Sequence, residues 1–377
     1  MAGEANTIII GAGPAGLAVA ASLRARNVSC VVLERADHVG SSWHRHYERL
    51  HLHTPKSHSA LPYLDYPRDC PRYPSRDDFI AYLDRYARAF AIKASFGENV
   101  IRREHRSDYW TVVTEENSWH GRHLVVASGL NRVPHAPSWP GQGSFGGPIL
   151  HSSAYVNGER FRGQRVLIVG FGNSGAEIAL DLHEHGAHPA ISLRGPANVV
   201  PREVLGIPSL LFALATRSLP PGVADRLNAL TIRLAVGDLT RLGIRNRAHG
   251  PLVQILEHGQ IPVIDVGTIA AIRRGSIQLR PAIDRFDADT VCFADGGRER
   301  FDAVILATGF RTGLQSLLPE NPEAIDAAGR PRQCGPPSAP AGLHFCGFKI
   351  VSTGSLREIA IEATQIADRI ASHARRH

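Results

Sequence analysis

Two stretches of the chain share one succession of elements: an apolar strand, a glycine-rich turn and a helix. In the first stretch, the apolar run 7–10 leads into the turn 11–16 and a helical pattern over 17–26. In the second stretch, the apolar run 166–169 leads into the turn 170–175 and a further helical pattern. Helical and strand periods that alternate in this order predict two βαβ units, each built on a parallel sheet.

Both turns have the spacing G-x-G-x-x-G of a dinucleotide-binding fingerprint. The first glycine permits the tight turn, the second lets the backbone approach a pyrophosphate, and the third lets helix and strand pack closely. The N-terminus of the following helix presents free N–H groups to the anion. The predicted phosphate-binding residues are Gly11, Gly13, Pro14, Ala15 and Gly16 in the first turn, and Gly170, Gly172, Asn173, Ser174 and Gly175 in the second.

A second strand follows each helix and ends on a charged residue. Glu34 lies 18 residues after Gly16, and Arg194 lies 19 residues after Gly175. At this position a carboxylate accepts hydrogen bonds from a ribose diol and repels a 2′-phosphate, whereas a guanidinium pairs with that phosphate. The two charges therefore predict FAD at the first unit and NADPH, rather than NADH, at the second.

Three further strands organise the rest of the chain. Two of them, 124–129 and 302–310, end in short turns where we expect the chain to pass between domains. The third, 343–348, precedes a helix from about Ser355 whose apolar positions recur with a 3.6-residue period. The expected fold is α/β, with two Rossmann-like dinucleotide-binding domains and the NADPH domain inserted into the FAD domain. The predicted bounds are 1–158 and 303–377 for the FAD domain and 159–302 for the NADPH domain.

One long segment, 204–242, is apolar and helical, and Pro208, Pro220 and Pro221 interrupt it. Its run 208–215 is too short to span a bilayer. Burial in the core is the favoured interpretation. Coverage of a substrate channel and contact with a membrane surface are the alternatives.

Composition narrows the class of protein. The chain has 377 residues, of which 43% are hydrophobic and 20% charged, as in a globular protein of two or three domains. Five separated cysteines without a C-x-x-C pair disfavour a disulfide scaffold, a zinc ribbon and a dithiol reductase. No signal-peptide pattern precedes the first strand, so a cytoplasmic location is expected. The net charge of +7 lacks a nucleic-acid recognition motif and fits anionic dinucleotide ligands.

The residues before the second turn resemble a family signature. The segment 145–155 is similar to the pattern F-x-G-x-x-x-H-x-x-x-[HY] of class B flavoprotein monooxygenases. The matching residues are Phe145, Gly147, His151 and Tyr155. The segment 302–310 resembles the D-x-x-x-[LF]-A-T-G-[YF] motif of the same family, and its matching residues include Thr308, Gly309 and Phe310.

Longer blocks resemble the YUCCA-type members of that family. These blocks are 43–62, 73–87, 200–206, 250–252 and 262–269. The resemblance implies FAD, NADPH and O2, a flavin C4a-(hydro)peroxide, and oxidative decarboxylation of an aromatic 2-oxo acid such as indole-3-pyruvate. It also implies further cofactor contacts at Arg35, Ser42, Trp43, Ser128, Gly347 and Phe348.

Two cationic or hydrogen-bonding side chains in the first block, His53 and Lys56, are candidate catalytic residues. Near the flavin, either could influence protonation of the oxygen adduct and hold a substrate carboxylate. The alternative is that both pack beneath the cofactor as structural residues. Lys56 is one of only three lysines in the chain.

Other chemistries stay open at this level. N- or S-oxygenation and Baeyer–Villiger oxidation would use the same cofactors, and a non-oxygenating NADPH:electron-carrier reductase is a third hypothesis. The histidine pairs His44/His46 and His51/His53 suggest a metal, but no cysteine or carboxylate completes a familiar ligand spacing, so no metal is expected. The expected partner is a small-molecule substrate, and a homodimer is compatible with the sequence.

Overall fold

The computed structural model describes residues 2–106, 108–338 and 341–374, and it contains two largely parallel sheets. The first sheet has six strands in the order Gly335–Ser338, Leu343–Phe345, His123–Val126, Thr7–Ile10, Cys30–Glu34 and Ala94–Phe96. Its edge strand Gly335–Ser338 is antiparallel to its neighbour. The second sheet has five parallel strands in the order Ile149–His151, Ala303–Leu306, Arg165–Val169, His188–Ser192 and Gln278–Arg280. Two such sheets confirm the predicted α/β fold.

Each of these two sheets, together with its helices, forms one unit of the fold, the first and the second unit. Smaller sheets extend both units. A four-stranded sheet has the order Ala2–Glu4, Ser118–Gly121, Tyr109–Thr114 and Val100–Arg106, and a three-stranded one comprises Ile283–Asp287, Thr290–Phe293 and Arg298–Arg300. The two-stranded pairs are Val199–Pro201 with Val263–Asp265, Glu203–Val204 with Ile207–Pro208, and Val133–Pro134 with Phe310–Arg311. The α-helices are Pro14–Arg24, Ser41–His44, Arg76–Ala89, Asn173–Glu184, Ser209–Ala215, Pro221–Val236, Pro251–Leu256, Thr268–Arg273, Leu314–Leu317 and Ser355–Ala374.

Strand pairing in the second sheet crosses the predicted domain bounds. Ile149–His151 pairs with Ala303–Leu306, and Ala303–Leu306 pairs with Arg165–Val169. Both flanking strands lie within the ranges predicted for the FAD domain (1–158 and 303–377), and they pair in the sheet of the second unit. Strand pairing joins residues that are distant in sequence, so an apolar run does not by itself indicate its sheet. The connections between the units pair with each other at Val133–Pro134 and Phe310–Arg311.

The C-terminal helix Ser355–Ala374 closes the first unit. Its predicted apolar stripe is confirmed, because Ala363, Ile366 and Ile370 are fully buried and belong to the cluster that includes the helix Pro14–Arg24. A second helix of this unit, Arg76–Ala89, begins with a capping box in which the Ser75 side chain and the Asp78 N–H are paired. These helices keep the first glycine turn fixed against the sheet.

The expectation that segment 204–242 is buried in the core is wrong. The segment forms the helices Ser209–Ala215 and Pro221–Val236. On the second helix, Leu227, Leu230 and Leu234 are 62%, 66% and 78% exposed. In the described part of the chain, no helix combines the length and the apolar character needed to cross a membrane.

Two buried histidines of the first sheet make stability depend on pH. His344 Nε2 lies 3.4 Å from His123 Nδ1. Burial lowers the pKa of His123 to about 4 and the pKa of His344 to about 3. Between the unfolded pKa of about 6.5 and these lower values, the unfolded chain binds more protons than the folded chain, so stability falls as the pH decreases.

We expect acidification from pH 7 to pH 5 to cost about 2 kcal/mol of unfolding free energy for each of these histidines. Urea unfolding at both pH values measures this loss. His344→Gln should show a smaller acid-induced loss than the wild type, whereas His188→Gln, at an exposed position, should match the wild type. An unchanged acid-induced loss in His344→Gln would contradict the assignment.

Candidate active site

A cavity of about 640 Å³ is lined by residues of both units. The first unit contributes its glycine turn and the segment 41–54, which includes Trp43 and His53. The second unit contributes Asn173 and Ser174 from its own turn, together with parts of the helices that follow. Residues of both glycine-rich turns therefore line one space.

The first glycine turn has the geometry of a phosphate-binding loop. Gly11 has a φ of +106°, which a side chain would strain. A Cβ on Gly16 would lie 1.9 Å from the carbonyl oxygen of Gly11, so only glycine allows this close packing. Gly13 precedes the helix Pro14–Arg24, and a Cβ there would meet nothing within 4 Å. The open space beside Gly13 and the free N–H groups of the helix fit a pyrophosphate.

The second turn repeats this geometry. Gly170 has a φ of +110°, and a Cβ on Gly175 would lie 2.1 Å from the carbonyl oxygen of Gly170. Gly172 precedes the helix Asn173–Glu184 with open space around its Cα. Each unit can therefore hold one dinucleotide phosphate group by the same backbone arrangement.

Glu34 is fixed at the end of its strand. Its Oε2 accepts a hydrogen bond from the Ala12 N–H at 2.8 Å, and its Oε1 accepts one from the Ala36 N–H at 3.1 Å. The carboxylate is 6% exposed and lies in the cavity wall, where its remaining lone pairs can accept ribose hydroxyls.

Arg194 lies beyond the end of the strand His188–Ser192 and outside the cavity wall. It is exposed, and no ion pair within the described ranges involves its guanidinium. The cation is therefore available to a 2′-phosphate, as the charge pattern predicts.

Five other predicted cofactor contacts lie in the cavity wall. They are Arg35, Ser42, Trp43, Ser128 and Gly347. Ser128 Oγ is buried and has no hydrogen-bond partner among the residues that the structure describes. A buried hydroxyl in this state fits a polar ligand atom. Phe348, in contrast, is 3% exposed, packs within a hydrophobic cluster and does not line the cavity.

The signature residues lie outside the cavity wall and make structural contacts. His151 Nε2 is 3.0 Å from the Gly309 carbonyl oxygen, to which it can donate. A Cβ on Gly147 would lie 2.2 Å from a backbone oxygen, and the Phe145 ring packs against Phe286 at 5.4 Å. Tyr155 is fully buried, and its hydroxyl donates a hydrogen bond to Oδ2 of Asp181 on the helix Asn173–Glu184. The signature thus fixes the second sheet to the connection between the units.

The motif 302–310 has a similar structural role. Thr308 Oγ1 donates to the His135 carbonyl oxygen at 2.5 Å. The His135 N–H donates to the Gly309 carbonyl oxygen at 2.9 Å, and the Phe310 ring packs edge-on against His151 at 4.9 Å. None of Thr308, Gly309 and Phe310 lies in the cavity wall.

His53 connects the two units. Its Nε2 lies 3.0 Å from Oε1 of Glu177, a residue of the helix Asn173–Glu184 that is 2% exposed. The other ring nitrogen, Nδ1, is buried without a hydrogen-bond partner in the described part of the chain. Glu177 therefore orients the imidazole and leaves Nδ1 for a ligand.

Burial keeps two neighbours of this pair uncharged. It lowers the pKa of His46 and raises the pKa of Tyr47 well above its usual range. Both residues lie in the cavity wall. These two side chains therefore add no charge to the cavity near neutral pH.

Lys56 lies outside the cavity wall. Its Nζ donates to the carbonyl oxygens of Pro67 at 3.2 Å and Arg68 at 2.8 Å, and also to that of Cys70. Three carbonyl acceptors use all three ammonium donors. These contacts favour the structural alternative for Lys56, in which the ammonium holds the turn 67–70.

We expect Lys56→Ala to lower the melting temperature, because three carbonyl groups of the turn 67–70 lose their donor. Coupling of NADPH oxidation to product should stay at the wild-type level. Differential scanning fluorimetry and an H2O2 assay measure the two quantities. Uncoupling to H2O2 with an unchanged melting temperature would instead support the catalytic interpretation.

Sequence reasoning did not single out Arg202. Its guanidinium lies 4.3 Å from the centre of the Tyr73 ring and lines the cavity. The adjacent carboxylate, Glu203, binds Arg72 and Tyr73 instead. Arg202 therefore has no ion pair with any of residues 2–106, 108–338 and 341–374. The sequence shows that Arg202 belongs to the block 200–206. It does not show that Glu203 pairs elsewhere and so leaves the Arg202 guanidinium without a carboxylate partner.

The described residues contain no group of three histidine, cysteine or acidic side chains able to hold a metal ion. His44 ends a short helix, and His51 Nδ1 contacts the Arg49 carbonyl oxygen at 2.7 Å. The five cysteines are all unpaired thiols.

Comparison with known proteins gives strong sequence similarity. Residues 8–201 match the model of the family described as pyridine nucleotide-disulphide oxidoreductase. Indole-3-pyruvate monooxygenase YUCCA4 of Oryza sativa subsp. japonica is 39% identical over 384 residues, which cover 97% of this chain and 87% of that protein. Indole-3-pyruvate monooxygenase YUCCA6 of Arabidopsis thaliana is 39% identical, with 96% and 89% covered.

Solved structures support the fold. The flavin-containing monooxygenase from Stenotrophomonas maltophilia aligns with a TM-score of 0.72 at 23% identity, covering 99% of both chains. A steroid monooxygenase bound to NADP aligns with a TM-score of 0.79 at 18% identity, covering 99% of this chain and 86% of that one.

Proposed function

Because the chain belongs to the YUCCA-type family of flavin-containing monooxygenases, and is thus an FAD- and NADPH-dependent enzyme that uses O2, we propose that it oxidatively decarboxylates an aromatic 2-oxo acid. Bound FAD supplies the transfer of electrons from NADPH to O2. One oxygen atom enters the acid product, which is one carbon shorter than the substrate, and the other leaves as water. The former carboxyl group leaves as CO2.

The observation that carries this proposal is the unpaired Arg202 on a largely apolar wall. Leu210, Phe212 and Ile232 lie in the same wall. An apolar surface that carries a free guanidinium fits a ligand that has an aromatic body and a carboxylate. The stacking of Arg202 on Tyr73 holds the guanidinium plane in place, which favours bidentate binding of a carboxylate.

His53 supplies the second polar contact in this proposal. Its Nε2–H donates to the Glu177 carboxylate, so the free Nδ1 can accept a hydrogen bond from a ligand atom in the cavity. Removing water from this space strengthens such a contact and limits wasteful release of H2O2. The roles proposed for the two residues are therefore carboxylate binding by Arg202 and a positioned hydrogen bond by His53.

Arg202→Gln is expected to raise the KM for phenylpyruvate by about 10- to 100-fold, because a charge-assisted hydrogen-bonded pair contributes roughly 1.5–3 kcal/mol. Oxidation of an uncharged thioether, if detectable, should not change. Arg68→Gln, at an exposed position outside the cavity wall, serves as the control. Equal effects of Arg202→Gln on charged and uncharged substrates would contradict carboxylate binding.

A substrate panel tests the proposed function itself. Purified holoenzyme is given indole-3-pyruvate, phenylpyruvate, a cyclic ketone and a thioether, and product is compared with NADPH consumed. We expect coupled turnover with the two 2-oxo acids. Coupled turnover only with the thioether or the ketone would replace the proposal by N- or S-oxygenation or by Baeyer–Villiger oxidation. NADPH-dependent reduction of an electron carrier without any oxygenated product would favour the reductase hypothesis.

A further inference from the structure

We propose that the outer face of the helix Pro221–Val236 binds the surface of an anionic lipid bilayer. We define this outer face by Val223, Leu227, Leu230 and Leu234 together with Arg226 and Arg233, all of which are exposed. The inference is independent of the proposed substrate, because it rests on a surface outside the cavity.

The helix is amphipathic, but its apolar face points to solvent and its more polar face points to the protein. An ordinary surface helix has the reverse orientation. Asp225, Asn228 and Thr231 face the cavity beside a single large apolar side chain, Ile232, while the leucines face solvent. The spacing 223, 227, 230 and 234 is that of one helix face. A helix that covers an internal cavity normally directs its apolar face inward, so this orientation needs another apolar environment to bury the leucines.

Exposed apolar side chains concentrate in this region. Of the sixteen large apolar side chains that are exposed in the described ranges, ten lie between residues 205 and 261. Leu205, in the neighbouring hairpin, is 98% exposed. Scattered exposed leucines need no explanation, but a concentration of this kind marks an interaction surface.

Charge selects the bilayer over a second copy of the chain. The helix has one acidic residue, Asp225, which is 8% exposed and accepts hydrogen bonds from the N–H groups of Leu252 and Val253. Every exposed charge of the helix is therefore positive. A symmetric dimer through this face would bring Arg226 and Arg233 toward their own copies, whereas anionic headgroups would neutralise both. Leucines with interspersed arginines are typical of helices that lie in the membrane interface.

Vesicle sedimentation tests the proposal with the intact holoenzyme. We expect binding to vesicles of phosphatidylcholine with phosphatidylglycerol, and much weaker binding to phosphatidylcholine alone. Arg226→Gln with Arg233→Gln should weaken partitioning about 30-fold, since each basic residue near an anionic surface contributes about 1 kcal/mol. Leu227→Ser with Leu230→Ser should weaken it by at least about 10-fold.

The matched control is Ile101→Ser, which replaces an apolar side chain that is 56% exposed and lies on a strand of the first unit. It should bind vesicles like the wild type. Retained NADPH oxidation shows that each variant is folded. No sedimentation of the wild type, or equal binding to both vesicle types, would overturn the proposal. So would a dimer in size-exclusion chromatography that is lost in Leu227→Ser with Leu230→Ser.

Discussion

Gly13→Ala should yield a folded protein with a lower content of bound FAD and a paler yellow colour than the wild type, whereas Gly172→Ala should keep the wild-type flavin content and bind NADPH more weakly. In both positions a Cβ meets no protein atom within 4 Å, and neither residue has a positive φ. The added methyl group therefore leaves the chain unstrained and enters only the space proposed for the pyrophosphate. Overpacking of a ligand site by one methyl group costs about 1–3 kcal/mol, or about 10- to 100-fold in affinity.

The flavin content and the KM for NADPH measure the two effects separately. Gly143→Ala is the control, because its Cβ also meets open space and the residue lies outside the cavity wall. Gly16→Ala should behave differently from Gly13→Ala, since its Cβ would clash with the Gly11 carbonyl oxygen and disturb the fold itself. Full flavin content in Gly13→Ala would show that FAD does not use the first turn.

Arg194→Gln should reduce the preference for NADPH over NADH. The preference depends on pairing of the guanidinium with the 2′-phosphate, and no carboxylate in the described part of the chain competes for this cation. Loss of a charge-assisted pair of roughly 1.5–3 kcal/mol predicts a decrease of about 10- to 100-fold in the ratio of kcat/KM values. The change should arise mainly from NADPH.

Steady-state kinetics with each nicotinamide cofactor provide the measurement. Arg274→Gln, which changes another exposed arginine near the second sheet, controls for the general loss of positive charge. If the ratio is the same in Arg194→Gln and the wild type, another residue recognises the phosphate.

The two βαβ units could be predicted because their signals are local. The strand Thr7–Ile10 has the predicted bounds, and Cys30–Glu34 includes the predicted charged end. The strand pairing across the predicted bounds at 158 and 302 could not be predicted, because Ile149–His151 and Ala303–Leu306 are more than 150 positions apart.

The site was less predictable than the fold. The first-turn glycines and Glu34 follow from a spacing with a known mechanical reason, and the structure places Gly11, Gly13 and Glu34 together in the cavity wall. The contacts of His53 with Glu177 and of Lys56 with the turn 67–70 are tertiary, and the sequence contains no periodicity that indicates them. Arg202 stands out only once its neighbour Glu203 is seen to bind Arg72 and Tyr73.

Segment 204–242 shows how hydropathy alone can mislead. An apolar helical pattern favours burial, and the helix Pro221–Val236 does cover the cavity through polar residues such as Asn228. Its leucines nevertheless face outward. The sequence gives the period of the pattern, but the direction of the apolar face depends on what the tertiary structure places on either side.

Turnover of indole-3-pyruvate under isotopically labelled O2 is the most direct test of the proposed reaction. The account predicts a carboxylic acid one carbon shorter than the substrate, with one labelled oxygen atom in its carboxylate and one CO2 released for each NADPH consumed. An unlabelled acid, or NADPH consumption that yields only H2O2 in the presence of this substrate and phenylpyruvate, would contradict it.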